Sequence, residues 1–196
     1  MGKQEFVYLD SCVLLDCISF KQGFTKVCRN RKFDIGAIDP LRAEIMLSEI
    51  NIIEVTEHLK DAEATRIAIQ EGYSYFDLNK QRLEEIELSE DNIKNVDDLL
   101  RNELFNLPAV VSMKSKGLSK NDITTLLNIC NKYSIFFVDA MHFLIADKEG
   151  CNYFITSDEK LRKSLNKLIE DSSSSATMLI MSPQEFKNSV LPKLVV

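Results

Sequence analysis

Apolar residues along this chain fall into two patterns that alternate. The first is the short apolar run of a buried strand: Phe6-Val7-Tyr8-Leu9, Ile45-Met46-Leu47-Ser48, Cys151 to Thr156 and Met178-Leu179-Ile180-Met181. The second is helical spacing. Val13, Leu14, Cys17 and Ile18 predict a short helix before Gly23, and Ser48-Glu49 opens a helix that runs through Glu54 to about Glu71, where Gly72 stops it. Ser119 is placed to cap a helix to Tyr133 with Ile123, Leu126, Leu127 and Cys130 on one stripe. A further helix holds Asp139, Ala140, Phe143, Leu144 and Ala146 and ends at Gly150; Ser157-Asp158 begins another with Leu161, Leu165 and Leu168. Ser182-Pro183 opens the last, with proline at the first helical position. Strands alternating with helices predict a mainly parallel sheet covered on both faces, a three-layer α/β/α sandwich.

The pattern lapses in four places. Gly23 to Pro40 reads as a basic loop, with Lys26, Arg29, Arg31 and Lys32 beside Phe24 and Phe33. Tyr73-Ser74-Tyr75-Phe76 reads as an added strand. Residues 80 to 120 hold charged helical pieces punctuated by Pro108 and Gly117, and include an acidic stretch from Glu84 to Asp91. Ser172 to Ser175 is a polar linker. No internal repeat is visible, and 196 residues fit one domain, 1–196, with an enlarged helical middle region at about 60–120.

Composition narrows the class. The apolar (45%) and charged (28%) fractions match ordinary globular proteins, and no apolar run approaches the length of a membrane span. Lys3 and Glu5 precede Phe6, unlike a secretory signal, so a cytoplasmic protein without a membrane partner is expected. The five cysteines are odd in number and none is spaced as C-x-x-C, which argues against a disulfide framework or a zinc ribbon. A net charge of −6 runs against the basic balance of many nucleic-acid binders.

The candidate chemistry lies in acids. Asp10 and Asp158 each follow an apolar strand, and in open parallel sheets ligands bind in the crevice at the C-terminal strand ends. If those two strands are neighbours, both carboxylates point into one crevice. Glu54, in Ile50-Asn51-Ile52-Ile53-Glu54-Val55, and Asp139, between Ile135-Phe136-Phe137-Val138 and Ala140-Met141, sit in apolar settings where an unpaired carboxylate is costly. No Lys or Arg stands beside them in sequence, so a metal is the economical partner. Oxygen ligands select Mg²⁺ or Mn²⁺ over zinc. The expected chemistry is metal-assisted hydrolysis of a phosphodiester.

A family resemblance arises at these residues. Phe6-Val7-Tyr8-Leu9-Asp10-Ser11-Cys12-Val13-Leu14-Leu15-Asp16 resembles the first motif of PIN-domain nucleases, and Ser48-Glu49-Ile50-Asn51-Ile52-Ile53-Glu54 the second. Val138-Asp139-Ala140-Met141-His142-Phe143-Leu144-Ile145-Ala146 is similar to the third, and Tyr153-Phe154-Ile155-Thr156-Ser157-Asp158-Glu159-Lys160-Leu161 to the fourth. The match covers most of the chain except about 60–120, which is longer than in compact toxin-type PIN ribonucleases. The resemblance implies that Asp10, Glu54, Asp139 and Asp158 ligate Mg²⁺ or Mn²⁺, that Ser11 and Thr156 support them, and that RNA is the substrate. It also implies an endoribonuclease of toxin–antitoxin type, with an inhibitory antitoxin protein and a homodimer as expected partners.

Plainer readings stand beside these. Asp10 and Asp158 could be helix caps, and Asp139 and Glu54 solvent-facing helix residues. Glu49 or Glu57 could face the cluster in place of Glu54, although both read as solvated. Asp16 could add an acid or sit exposed. His142 lies one turn after Asp139 and could face the site, but reads more simply as a packed or surface residue. Arg29, Arg31 and Lys32, with Lys160 beyond Asp158, could contact substrate phosphates, or the first three could belong to a charged loop. A local basic rim is the answer to the negative total. DNA is open as a substrate, since nothing reads a 2′-hydroxyl. The alternative in a different class is a non-catalytic PIN-fold module that binds nucleic acid or protein, suggested by the acidic balance and the enlarged middle.

Overall fold

The computed structural model describes residues 4–21, 34–74, 86–112, 119–171 and 178–195. Five parallel strands form its sheet in the order β3-β2-β1-β4-β5. They are β1 (Glu5–Leu9), β2 (Ala43–Leu47), β3 (Val110–Ser112), β4 (Tyr153–Ile155) and β5 (Leu179–Met181). Among the described residues seven α-helices accompany them: α1 (Ser11–Lys21), α2 (Glu49–Gln70), α3 (Glu90–Leu100), α4 (Lys120–Tyr133), α5 (Phe137–Lys148), α6 (Glu159–Asp171) and α7 (Pro183–Ser189). None is long and apolar enough to cross a membrane.

The three layers follow from the two-residue period of the strands. Val7 and Leu9 of β1, Ala43, Ile45 and Leu47 of β2 and Ile155 of β4 pack into one core with Val13, Leu14 and Ile18 of α1, Val55 of α2, Leu100 of α3 and Phe186 of α7. Tyr8, Phe154 and Ile180 point the other way, into a second core with Leu126, Phe143 and Leu165 from α4, α5 and α6. The chain is therefore an α/β/α sandwich, as its pattern predicts.

Strand order sets the position of any site. From β1 the chain builds outward through β2 to β3, then returns to the other side of β1 for β4 and β5. The direction of building reverses at the C-terminal ends of β1 and β4, where helices leave toward opposite faces and open a crevice. The two strands are direct neighbours, with Leu9 opposite Ile155 and the Asp10 N–H donating to the Ile155 carbonyl at 2.9 Å.

Local chemistry sets the helix ends. Ser48, Ser89, Ser119 and Ser182 each cap a helix with a reciprocal bond from the third helical residue, and Gly72 and Gly150 take positive φ (91° and 71°) just past α2 and α5.

The pattern misled in three places. The strand β3 is missing from the sequence reading because Val110-Val111-Ser112 is a three-residue edge strand inside a charged, helical stretch. The buried stripe of α4 runs through Asp122, Leu126 and Ile129, whereas Ile123 and Leu127 are exposed. Tyr73 and Ser74 are not in a strand, and the rest of that expected segment lies outside the described residues. So do Arg29, Arg31, Lys32 and their flanking Phe24 and Phe33, and the Ser172–Ser175 linker.

Candidate functional site

Asp10 is the first residue beyond β1 and opens α1, its carbonyl accepting the N–H groups of Val13 and Leu14. Its side chain is 7% exposed. Burying a carboxylate requires donors, and β4 supplies the main one: Thr156 Oγ1 donates to Asp10 Oδ2 at 2.7 Å. Cys12 Sγ donates to the same oxygen at 3.1 Å and accepts from Ser157 Oγ at 3.0 Å. Burial, with the Asp10 charge next to it, pushes the Cys12 thiol up to about 12, so at neutral pH it stays an S–H donor.

Glu54 lies in the second turn of α2, half-buried. Ser11 Oγ donates to its Oε2 at 2.6 Å, and His142 Nε2 lies 2.7 Å from the same oxygen. The His142 contact, then the Ser11 hydroxyl, hold the carboxyl below its ordinary range against the opposing effect of burial. Glu49 and Glu57 are exposed, so of the three acids weighed for this position Glu54 is the one that turns inward.

Asn51 ties these pieces together. This buried amide donates to the Leu9 carbonyl at 3.2 Å and to Ser11 Oγ at 3.1 Å, while its oxygen accepts the Ser48 N–H. The start of α2 is thereby fastened to the end of β1.

Asp139 is the third residue of α5, half-buried, with no side-chain hydrogen bond among the described residues. Burial raises its carboxyl to about 6, with Asp10 next in importance and Asp158 and Glu54 adding to it; His142 works in the other direction. The other three expected acids thus all act on Asp139, and no Lys or Arg is among the strongest influences on it. Its apolar flanks, however, are not uniformly buried: Phe136 is 84% exposed, and Phe137 and Val138 are substantially so. The expectation of a buried acid drawn from those flanks holds in part: Asp139 is half-buried, with Ile135 and Ala140 buried and Phe136, Phe137 and Val138 exposed.

Asp158 behaves differently. It is exposed, and its Oδ1 accepts the N–H groups of Lys160 and Leu161 at 2.7 and 3.0 Å, capping α6. Its own N–H donates to Thr156 Oγ1 at 3.1 Å. The cap reading of Asp158 holds, alongside an electrostatic influence on Asp139. Lys160 is exposed on α6.

An oxygen-rich set whose charges bear on Asp139, with no Lys or Arg among the strongest influences on that residue, suits a hard divalent cation in kind and in charge. Were a cation bound there, Asp10, Asp139 and the second oxygen of Glu54 would be the groups to hold it. As the side chains stand, no three His, Cys, Asp or Glu among the described residues form a group able to hold one ion. The cap on Asp158 and the engagement of Glu54 Oε2 account for two of the donors.

Two residues of this site, Tyr8 and Asn51, are not singled out by the sequence, and a third, His142, reads there chiefly as a packed or surface residue. Tyr8, Asn51 and His142 are all buried in the crevice wall, and each is a polar group within an apolar run. That is the signal that could have found them, since a buried polar side chain must have a partner. His142 is packed, as its plainer reading held, yet it also touches Glu54.

Comparison with known proteins adds nothing to this geometry: no family model, no curated protein and no solved structure matches the chain.

Proposed function

We propose that the protein is a Mg²⁺- or Mn²⁺-dependent nuclease of PIN type, hydrolysing phosphodiester bonds of single-stranded RNA. The observation that carries this reading is the placement of Asp10 just past β1, beside β4 and bonded to Thr156, where strand order reverses, with the charges of Asp10, Asp158 and Glu54 all acting on Asp139. A bound divalent cation would relieve that repulsion, activate water and stabilise charge on the phosphate in flight. The chain's own part is to keep the acids oriented: Thr156 and Cys12 hold Asp10, and Ser11 and His142 hold Glu54. Lys160 would meet a substrate phosphate at the rim.

The resemblance extends the reading to a toxin paired with an inhibitory antitoxin, and to a homodimer. The test is cleavage of end-labelled single-stranded RNAs and DNAs by the full chain with Mg²⁺, Mn²⁺ or EDTA, beside Asp10→Asn. Metal-dependent cutting of RNA that Asp10→Asn abolishes supports the reading; cutting that survives in the variant or in EDTA sinks it. Equal cutting of DNA would widen the substrate class.

A second reading, a PIN-type fold that binds without cutting, is favoured by one feature of the middle region. Ile86, Leu88, Ile93, Val96 and Leu100 form, with Thr56 of α2, a mainly apolar groove of about 510 Å³. Such a groove suits a protein segment better than a phosphate backbone. This reading predicts no turnover with either metal.

A further inference from the structure

Behind Glu54 lies a closed circuit of buried polar groups. His142, on α5, is 1% exposed, and Tyr8, on β1, and Ser48, the cap of α2, are equally buried. His142 Nε2 meets Glu54 Oε2 at 2.7 Å, His142 Nδ1 meets the Tyr8 hydroxyl at 2.6 Å, and that hydroxyl meets Ser48 Oγ at 2.7 Å. Starting from the cap of α2, the contacts pass through β1 and α5 and return to α2 at Glu54.

The ring of Tyr8 is fixed in turn. It stacks on Phe154 of β4 with centroids 5.4 Å apart and planes within 5°, and meets the edge of the His142 ring at 5.7 Å. Neither ring has solvent to turn into. Three buried polar side chains are costly unless every one is satisfied, and a satisfied network is rigid.

The consequence falls on one carboxylate. A carboxylate accepts and does not donate, so Nε2 must carry the proton in the bond to Glu54. Ser11 and His142 both use Oε2, and among the described residues Oε1 accepts no hydrogen bond. We propose that His142 is a positioning residue, held by Tyr8 and Ser48, that fixes the Glu54 side chain in one orientation and leaves Oε1 as the oxygen it offers to the crevice. This rests on the nuclease reading for its functional meaning, but not for its geometry.

Two kinds of measurement test it on the full chain. In cleavage assays, His142→Phe keeps the ring volume and removes the donor, and kcat should fall about tenfold to a hundredfold, as for partners that orient a site carboxylate. KM for RNA should change less than twofold. His142→Gln, which returns an N–H at similar reach, should recover most of the loss, and Tyr8→Phe should give a smaller loss than His142→Phe. In a Glu54→Gln background, His142→Phe should cost nothing further, because its effect passes through Glu54. Equal losses in both backgrounds, or a Gln variant as poor as the Phe variant, would overturn the proposal.

The second measurement is long-range ¹H–¹⁵N NMR of the imidazole. A proton fixed on His142 Nε2, released to a mixture of tautomers in Glu54→Leu, supports the clamp. An unprotonated Nε2, or two interconverting tautomers in the unaltered protein, overturns it. This readout needs no turnover. In protein that cuts nothing, a fixed Nε2 proton supports the clamp and locates the failure in the nuclease reading.

Discussion

The two walls of the crevice use the same residue types in opposite ways. On the wall built by β1 and α2, Asp10 and Glu54 each receive two side-chain contacts, from Thr156 and Cys12 and from Ser11 and His142. On the wall built by α5 and the start of α6, Asp139 receives none among the described residues and Asp158 spends its carboxylate on its own helix. The first wall is preorganised, and on the second Asp139 has its carboxyl raised by burial and by the neighbouring acids. The difference teaches where charge is stored: Glu54 lies below its ordinary range and Asp139 is lifted to about 6. Under the nuclease reading, such a site would have its orientation fixed on one side and would draw a cation chiefly to the other.

The largest effect should come from removing a charge on the preorganised wall. Asp10→Asn keeps shape and the Thr156 contact but removes the carboxylate, and under the nuclease reading metal-dependent cleavage should fall on the order of a hundredfold to a thousandfold. Single-turnover cleavage of a labelled RNA measures it. A variant within threefold of the unaltered protein would remove Asp10 from the chemistry.

Thr156→Val attacks a side chain that serves both walls. Its hydroxyl donates to Asp10 and accepts the Asp158 N–H, and it is fully buried. Valine fills the space and leaves a buried carboxylate oxygen without its donor, for a loss of about 2 kcal/mol in urea unfolding. A loss below about 0.5 kcal/mol would mean that water or Cys12 replaces the hydroxyl, and that this wall is less fixed than its geometry implies.

These walls were unequally legible in the sequence. The strands and helices that carry the acids could be read because β1, β2 and β4 contain short apolar runs that end at polar residues, and because serine caps mark α2, α4 and α7 and glycine stops mark α2 and α5. Asp10, Glu54, Asp139 and Asp158 follow from those elements, but only strand order brings β1 beside β4, and order is a long-range property. The partners were harder still. Tyr8 looks like one more apolar residue of β1, and His142 like part of the α5 core, until the other helix is packed against them. The edge strand β3 was invisible because Val110-Val111-Ser112 lies in a charged stretch that reads as helical pieces punctuated by Pro108 and Gly117.

The pH dependence of stability separates the walls by sign. With its folded carboxyl near 6 against an ordinary 3.8, Asp139 binds a proton in the folded protein at pH values where the unfolded chain has already lost it. Its contribution is therefore a loss of stability as pH rises from about 4 to 6, with the penalty remaining above that range. Glu54 has the opposite sign: its contribution is present above the ordinary carboxyl value and disappears as pH falls through its lower folded value. In EDTA, Asp139→Asn should be more stable than the unaltered protein above pH 6, by about 1 kcal/mol once its half-exposure is allowed for, and indistinguishable near pH 4. Mn²⁺ should then stabilise the unaltered protein more than the variant. Parallel pH profiles would show that Asp139 carries no such burden.

The smallest effect tests Asp158, the residue on which cap and site roles overlap. Asparagine caps a helix as well as aspartate does, because the same side-chain oxygen accepts the Lys160 and Leu161 N–H groups. Asp158→Asn should therefore leave urea unfolding within about 0.5 kcal/mol of the unaltered protein, whereas Asp158→Ala should lose about 1 kcal/mol. Cleavage distinguishes the second role. If the Asp158 charge matters only through Asp139, the Asn variant should slow cleavage about tenfold, less than Asp10→Asn, and should bring the Asp139 carboxyl down toward its ordinary value. An Asn variant that cuts at the full rate would make Asp158 a cap and nothing more, and would leave the second wall with Asp139 as its sole acid.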